Sequence, residues 1–98
     1  MTDWFYVLKF DPKEKEDEVL DWLRKKGISH WSSLDGVVSV KAYMRSMGLG
    51  SSPLFQIWIQ VRDLSVLNVW KDQARQILFI EELFPLITRF ESAIVKNV

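Results

Sequence analysis

The sequence predicts an α+β domain whose four strands and two helices follow one another as βαββαβ. Three observations carry that reading. Residues 53–62, PLFQIWIQVR, alternate strictly, so that Phe55, Ile57, Ile59 and Val61 share one pleat face. Residues 4–10, WFYVLKF, are apolar on both faces, the pattern of a central strand covered from both sides. Residues 11–27 keep helical spacing, with acids near the start and bases at the end. At roughly 1.5–3 kcal/mol per fully buried large side chain, the third strand's apolar face contributes on the order of 6–12 kcal/mol before entropy is charged against it.

The first strand puts Trp4, Tyr6, Leu8 and Phe10 on one face and Phe5 and Val7 on the other, with Lys9 its polar interruption. Asp11-Pro12-Lys13-Glu14 then reads as a helix start. Asp11 is placed to accept from first-turn amides, Pro12 suits the first helical position, and Glu14 sits where a capping box needs it. Val19, Leu20 and Leu23 form the inward stripe with Trp22 beside it, and Gly27 reads as the left-handed stop. Residues 28–36 read as a connection whose Asp35-Gly36 turns into the second strand. That strand, residues 37–45, alternates Val38, Val40, Ala42, Met44 against Ser39, Lys41, Tyr43, Arg45. Residues 46–52 are small and glycine-containing, a hairpin loop before the third strand.

Asp63 or Ser65 caps a second helix over about residues 64–84, where Leu67, Trp70, Ala74, Ile77 and Leu78 keep helical spacing. The spacing drifts near residues 77–81, which predicts a kink, and Pro85 ends the helix. Residues 88–95 form the last strand, Phe90, Ser92 and Ile94 opposite Arg89, Glu91, Ala93 and Val95. Right-handed crossovers fold this order into one ferredoxin-like domain over residues 1–98, an antiparallel four-stranded sheet with both helices on one face. The first and third strands are then central. On the pattern alone, Tyr6, Tyr43, Trp58 and Trp4 or Leu8 fall on the uncovered face, and an apolar patch there marks an interaction surface. Its simplest cover is a second copy.

The totals narrow the function. Five Trp among 98 residues ask for more burying surface than a small monomer easily offers. Thirteen Lys+Arg balance thirteen Asp+Glu, and the balance holds within each half of the chain, so the basic footprint of a nucleic-acid binder is missing. Cysteine is absent, which removes disulfides, thiolate nucleophiles and thiolate metal sites. The N-terminal stretch has no basic n-region and no apolar run nears 18 residues, so neither a signal peptide nor a membrane span is expected, and a cytoplasmic setting is the default.

With these elements in place, the chain resembles the dimeric α+β barrel superfamily, typified by antibiotic-biosynthesis-monooxygenase-like and stress-responsive barrel proteins. The resemblance covers nearly the whole chain: the strand order, the helix lengths, SLDGVVSV leading into the second strand and PLFQIWIQV as the third. It implies two sheets paired face to face around a cavity for a small, often aromatic or acidic molecule. The chemistry it implies is cofactor-free oxygenation, isomerisation or haem degradation. The haem-degrading branch carries a histidine on the second helix, and residues 64–84 hold none, so no cofactor is expected.

Lys41, Tyr43, Gln56, Trp58 and Gln60 are the candidate ligand-binding constellation, joined by Tyr6 from the first strand. Tyr and Trp supply flat walls, and Gln and Lys supply donors that orient a polar or anionic ligand. The same residues also suit a polar-lined dimer core. His30 is the only histidine, so no metal ligand set forms around it; beside Trp31 it reads as a surface or capping group, or a general base at a cavity mouth. Arg89 and Glu91 share a face of the last strand, as an acid or base or as a structural or interface ion pair. Asn68 and Trp70 are residue types that cofactor-free oxygenases use. No phosphate-loop, nucleophile-elbow, zinc or calcium motif is present, and no catalytic residue is assigned.

Two function classes follow. One is a small-molecule-binding homodimer, of the cofactor-independent oxygenase or isomerase kind. The other is a non-catalytic assembly or regulatory module. The same element order also carries RNA in some domains, but the third strand here lacks their glycine and basic residue.

Overall fold

The computed structural model describes residues 4–48, 53–66 and 79–98. At its centre β1 (Trp4–Pro12) pairs antiparallel with β3 (Phe55–Val61). β2 (Val37–Met44) flanks β3 and β4 (Ile87–Lys96) flanks β1, giving the order β2-β3-β1-β4. The strand order and the antiparallel pairings are those the sequence predicts.

The register decides the two faces. Leu8 lies opposite Ile57, Phe10 opposite Phe55, Tyr6 opposite Ile59 and Trp4 opposite Val61. Because Phe55, Ile57, Ile59 and Val61 are buried in the core, the even-numbered residues of β1 face that core as well. Phe5, Val7 and Lys9 lie opposite Gln60, Trp58 and Gln56, on the sheet face away from the core.

A helical stretch over residues 16–32 covers the core face. It comprises α1 (Glu16–Trp22), a π-helical segment (Leu23–Gly27) and α2 (Ile28–Ser32). It differs from the predicted helix at both ends. Asp11 is still in β1, its carboxylate accepting from the Leu54 N–H (2.7 Å) and forming an ion pair with Arg89 (Nε at 3.0 Å), and the N-cap is Lys15, which makes no side-chain cap. Gly27 does not stop the helix. Its φ is −59°, and a Cβ there would lie 2.6 Å from Trp22 Cζ3, so its small size serves ring packing rather than a left-handed turn. The helix therefore absorbs residues 28–32, and His30 and Trp31 are helical instead of lying in a connection. Val19, Trp22, Leu23 and Trp31 are its buried large side chains, Trp22 and Trp31 meeting edge to face at 5.8 Å.

Gly36 makes the turn into β2 with φ +88°, a conformation that glycine adopts without strain. Its carbonyl accepts from the Arg62 N–H at 2.8 Å, tying the turn to the end of β3. At the second helix's start, Asp63 Oδ1 accepts from the Ser65 N–H at 2.9 Å and from the Ser65 hydroxyl. That hydroxyl, aided by the backbone amides of Ser65 and Val66 and the Arg62 charge, holds the Asp63 carboxyl below its ordinary value against a smaller desolvation effect. Residues 65–66 are helical, and Val66 joins the core. At the other end a π-helical turn (Phe79–Leu83) and a 3-10 turn (Phe84–Leu86) lead into β4, with Leu83 buried and Pro85 where the helix gives out. Both described ends of the second helix thus meet the core from the same side as α1. The middle of the predicted second helix, residues 67–78 with Asn68 and Trp70, and residues 49–52 of the β2–β3 loop with Gly50 lie outside the described residues.

Candidate functional site

The face away from the helices reads as a grid. Across β2, β3, β1 and β4, one row holds Ser39, Gln60, Phe5 and Val95; the next Lys41, Trp58, Val7 and Ala93; the third Tyr43, Gln56, Lys9 and Glu91. Five of the six predicted site residues, Lys41, Tyr43, Gln56, Trp58 and Gln60, are brought together here. Tyr6 is not. It lies on the core face opposite Ile59 and packs against the buried cluster, because a strand apolar on both sides gives no sign of which side faces the helices. Leu8 and Trp4 are on the core face for the same reason. Phe5, Val7 and Lys9 take their places.

The centre of the face is apolar and its edges are wet. Val7 is only 2% exposed although it lies on the face away from α1, while Tyr43 at the β2 edge is 52% exposed. Trp58 explains the difference. Its ring meets Phe5 edge to face at 5.6 Å, and its Nε1 donates to Gln56 Oε1 at 3.2 Å, so the indole is pinned beside Val7. The Ser39 hydroxyl likewise donates to Gln60 Oε1 at 3.0 Å. Both glutamine oxygens are therefore met within the face. A cleft of about 420 Å³ opens beside Trp58, lined also by Phe5, Val95 and residues 96–98. That size falls in the range of small-molecule sites. Period-two reading identified Trp58; only the β1 register could add Phe5, Val7 and Val95.

The other predicted groups lie elsewhere. His30 sits on α2, and the oxygen that contacts the Ser33 hydroxyl is its backbone carbonyl, at 2.7 Å. Arg89 pairs with Asp11 and not with Glu91. Among the described residues no group of three or more His, Asp or Glu is arranged to hold a metal ion, and no helix is long and apolar enough to cross a membrane.

Comparison with solved structures fixes the architecture. The cofactor-independent oxygenase SnoaB from Streptomyces nogalater superposes with a TM-score of 0.79 at 11% identity, over 100% of this chain and 95% of SnoaB. A dabb family protein with a ferredoxin-like fold from Mesorhizobium loti gives 0.73 at 12% identity, over 100% and 99% of the two chains. A dimeric protein of unknown function and ferredoxin-like fold from Bacteroides fragilis gives 0.70 at 9%, over 96% and 95%. The fold is ferredoxin-like. These likenesses, at 9–12% identity, are likenesses of fold. No protein-family model and no curated protein matches the sequence.

Proposed function

We propose that the chain is a homodimer that binds a small aromatic or acidic molecule at its open sheet face, in a cytoplasmic setting. The observation that carries this is the pinned indole of Trp58, walling a cleft with Phe5 and flanked across the β2–β3 pair by Lys41. An indole whose N–H is already engaged offers its flat face, and a neighbouring ammonium suits a carboxylate or phenolate. The reaction class that fits is cofactor-independent oxygenation or isomerisation, and the likeness to SnoaB supports that choice. The dimeric Bacteroides fragilis structure supports a second copy as the cover of the face.

A second reading has an observation of its own. Because Ser39 and Trp58 already satisfy Gln60 Oε1 and Gln56 Oε1, the polar groups do not require a ligand, which favours a non-catalytic assembly or regulatory module. Calorimetric titration with salicylate and 1-hydroxy-2-naphthoate separates the two. The ligand-binding reading expects saturable binding that Trp58→Phe weakens about tenfold, one hot-spot contact's worth, while the dimer persists. A wild type that binds neither acid, together with a marked loss of stability in Trp58→Phe, would refute it in favour of the packed interface.

A further inference from the structure

The last strand carries a feature that the ligand site does not use. Arg89 has φ +51°, the one non-glycine residue with positive φ among the described residues. It falls where the β1–β4 register shifts between Lys9 and Asp11, at the extra residue of a β4 bulge. Glycine is the usual occupant of a left-handed bulge position, so an arginine there holds a strain that glycine would avoid. Its side chain is held on the open face. Asp11 shares that face with Lys9, and its Oδ2 takes Arg89 Nε at 3.0 Å while Oδ1 takes the Leu54 N–H at 2.7 Å. The grip is side-on. The approach is at Nε, and the Arg89 side chain remains 40% exposed.

Two residues on, Glu91 lies on the same face, exposed and opposite Lys9 in the register, and makes no ion pair among the described residues. A two-fold interface requires that if one residue contacts a second, the second contacts the first. A strand face bearing a positive group at 89 and a negative group at 91 meets that condition when two copies cross antiparallel about Phe90. A free anion does not: bound to Arg89, it would be repelled by Glu91 beside it.

We propose that Arg89 of each copy pairs with the partner's Glu91 in the homodimer, and that Asp11 is the positioning residue that aims the guanidinium. This rests on the homodimer reading above. The test is the dimer dissociation constant by sedimentation equilibrium at low and high salt, for the wild type, Arg89→Gly, Glu91→Gln and the double variant. Glycine suits the bulge, so Arg89→Gly is expected to fold, with an unchanged circular dichroism spectrum. Each single change should weaken the dimer by about tenfold or more at low salt, the scale of a close interfacial charge pair. The double variant should be no weaker than either single one, and the wild type's salt dependence should be lost in all three. Single changes that leave association untouched, or effects that multiply in the double variant, overturn the pairing while leaving the dimer standing. A wild type that is monomeric at micromolar concentration overturns the homodimer itself, and the pairing with it.

Discussion

Gly27→Ala separates the left-handed helix stop that the sequence suggests from the ring-packing role that the structure shows. In the structure Gly27 is helical and buried, with a Cβ position 2.6 Å from Trp22 Cζ3, 3.1 Å from Cε3 and 3.2 Å from Leu23 Cδ2. Two effects oppose each other. Alanine is favoured over glycine in a helix interior by about 1 kcal/mol. Against this, forcing an extra methyl into a packed core costs typically 1–3 kcal/mol, roughly, depending on what can move. Here little can move, because Trp22 is 8% exposed and its ring abuts that of Trp31 at 5.8 Å. The cost belongs in the upper half of the range, so the net loss is about 1–2 kcal/mol.

For a domain of this size each kcal/mol shifts the thermal midpoint by roughly 4–8 °C, so a fall of about 4–16 °C is expected by calorimetry. The decisive control is the same change in a Trp22→Phe background, where the ring atoms that clash are gone. There Gly27→Ala should be neutral or stabilising by up to about 1 kcal/mol, a non-additivity that contacting residues show and independent ones do not. If Gly27 were a left-handed helix stop, the penalty would come from φ and would be the same in both backgrounds. Additive effects, or a raised midpoint for Gly27→Ala alone, would refute the packing argument.

Four further substitutions test other parts of the structure. Val7→Asp places a charge at the 2%-exposed centre of the open face and should block association, since an unpaired buried charge costs several kcal/mol or so; Leu8→Asp, one residue on but under the helices, should instead unfold the chain. Light scattering and circular dichroism distinguish these outcomes, and identical behaviour of the two variants would contradict the assigned faces. Asp11→Ala should cost about 1.5–3 kcal/mol in urea unfolding, because Leu54 N–H and Arg89 lose a charged acceptor, while helix content stays constant. Ser65→Ala removes the main cause of the lowered Asp63 pKa, so the carboxyl should titrate closer to its ordinary value in a carbon-detected NMR titration. The sign for stability follows: a depressed carboxylate pKa stabilises above the unfolded value and loses that contribution as pH falls through the folded one. An unshifted Asp63 midpoint in Ser65→Ala would show that the hydroxyl is not what holds it down.

The strands were legible because β2 and β3 alternate with period two, β3 most clearly of all, and β1 is a short, almost wholly apolar run of strand length. The helix boundaries were not, and for a physical reason. Asp11, Pro12 and Glu14 supply capping chemistry that any helix start would use, yet the same aspartate makes two contacts in three dimensions, with Leu54 and Arg89, that no local pattern encodes. Gly27 misleads in the same way. A glycine following Arg24, Lys25 and Lys26 looks like a stop, yet the chain runs through it as a π-helical segment, with the Trp22 ring standing where a Cβ would be.

The candidate site turned on a single bit of information, the parity of β1. Five side chains of β2 and β3 share the open face, as their alternation indicates, because their strands have one wet face and one dry face. In β1 both faces are dry, so Trp4, Tyr6, Leu8 and Phe10 suit the open face as well as Phe5, Val7 and Lys9 do. What breaks the tie is pairing: β3 is flanked by β1, its core face is fixed by Phe55, Ile57 and Ile59, and directly opposed residues in an antiparallel pair share a face. Lys9 is the one residue of β1 that hints at this locally, since an ammonium is costly to bury under two helices and its parity is that of Phe5 and Val7. Weighing that lone lysine above the count of aromatics assigns Phe5 rather than Tyr6 to the wall of the Trp58 cleft.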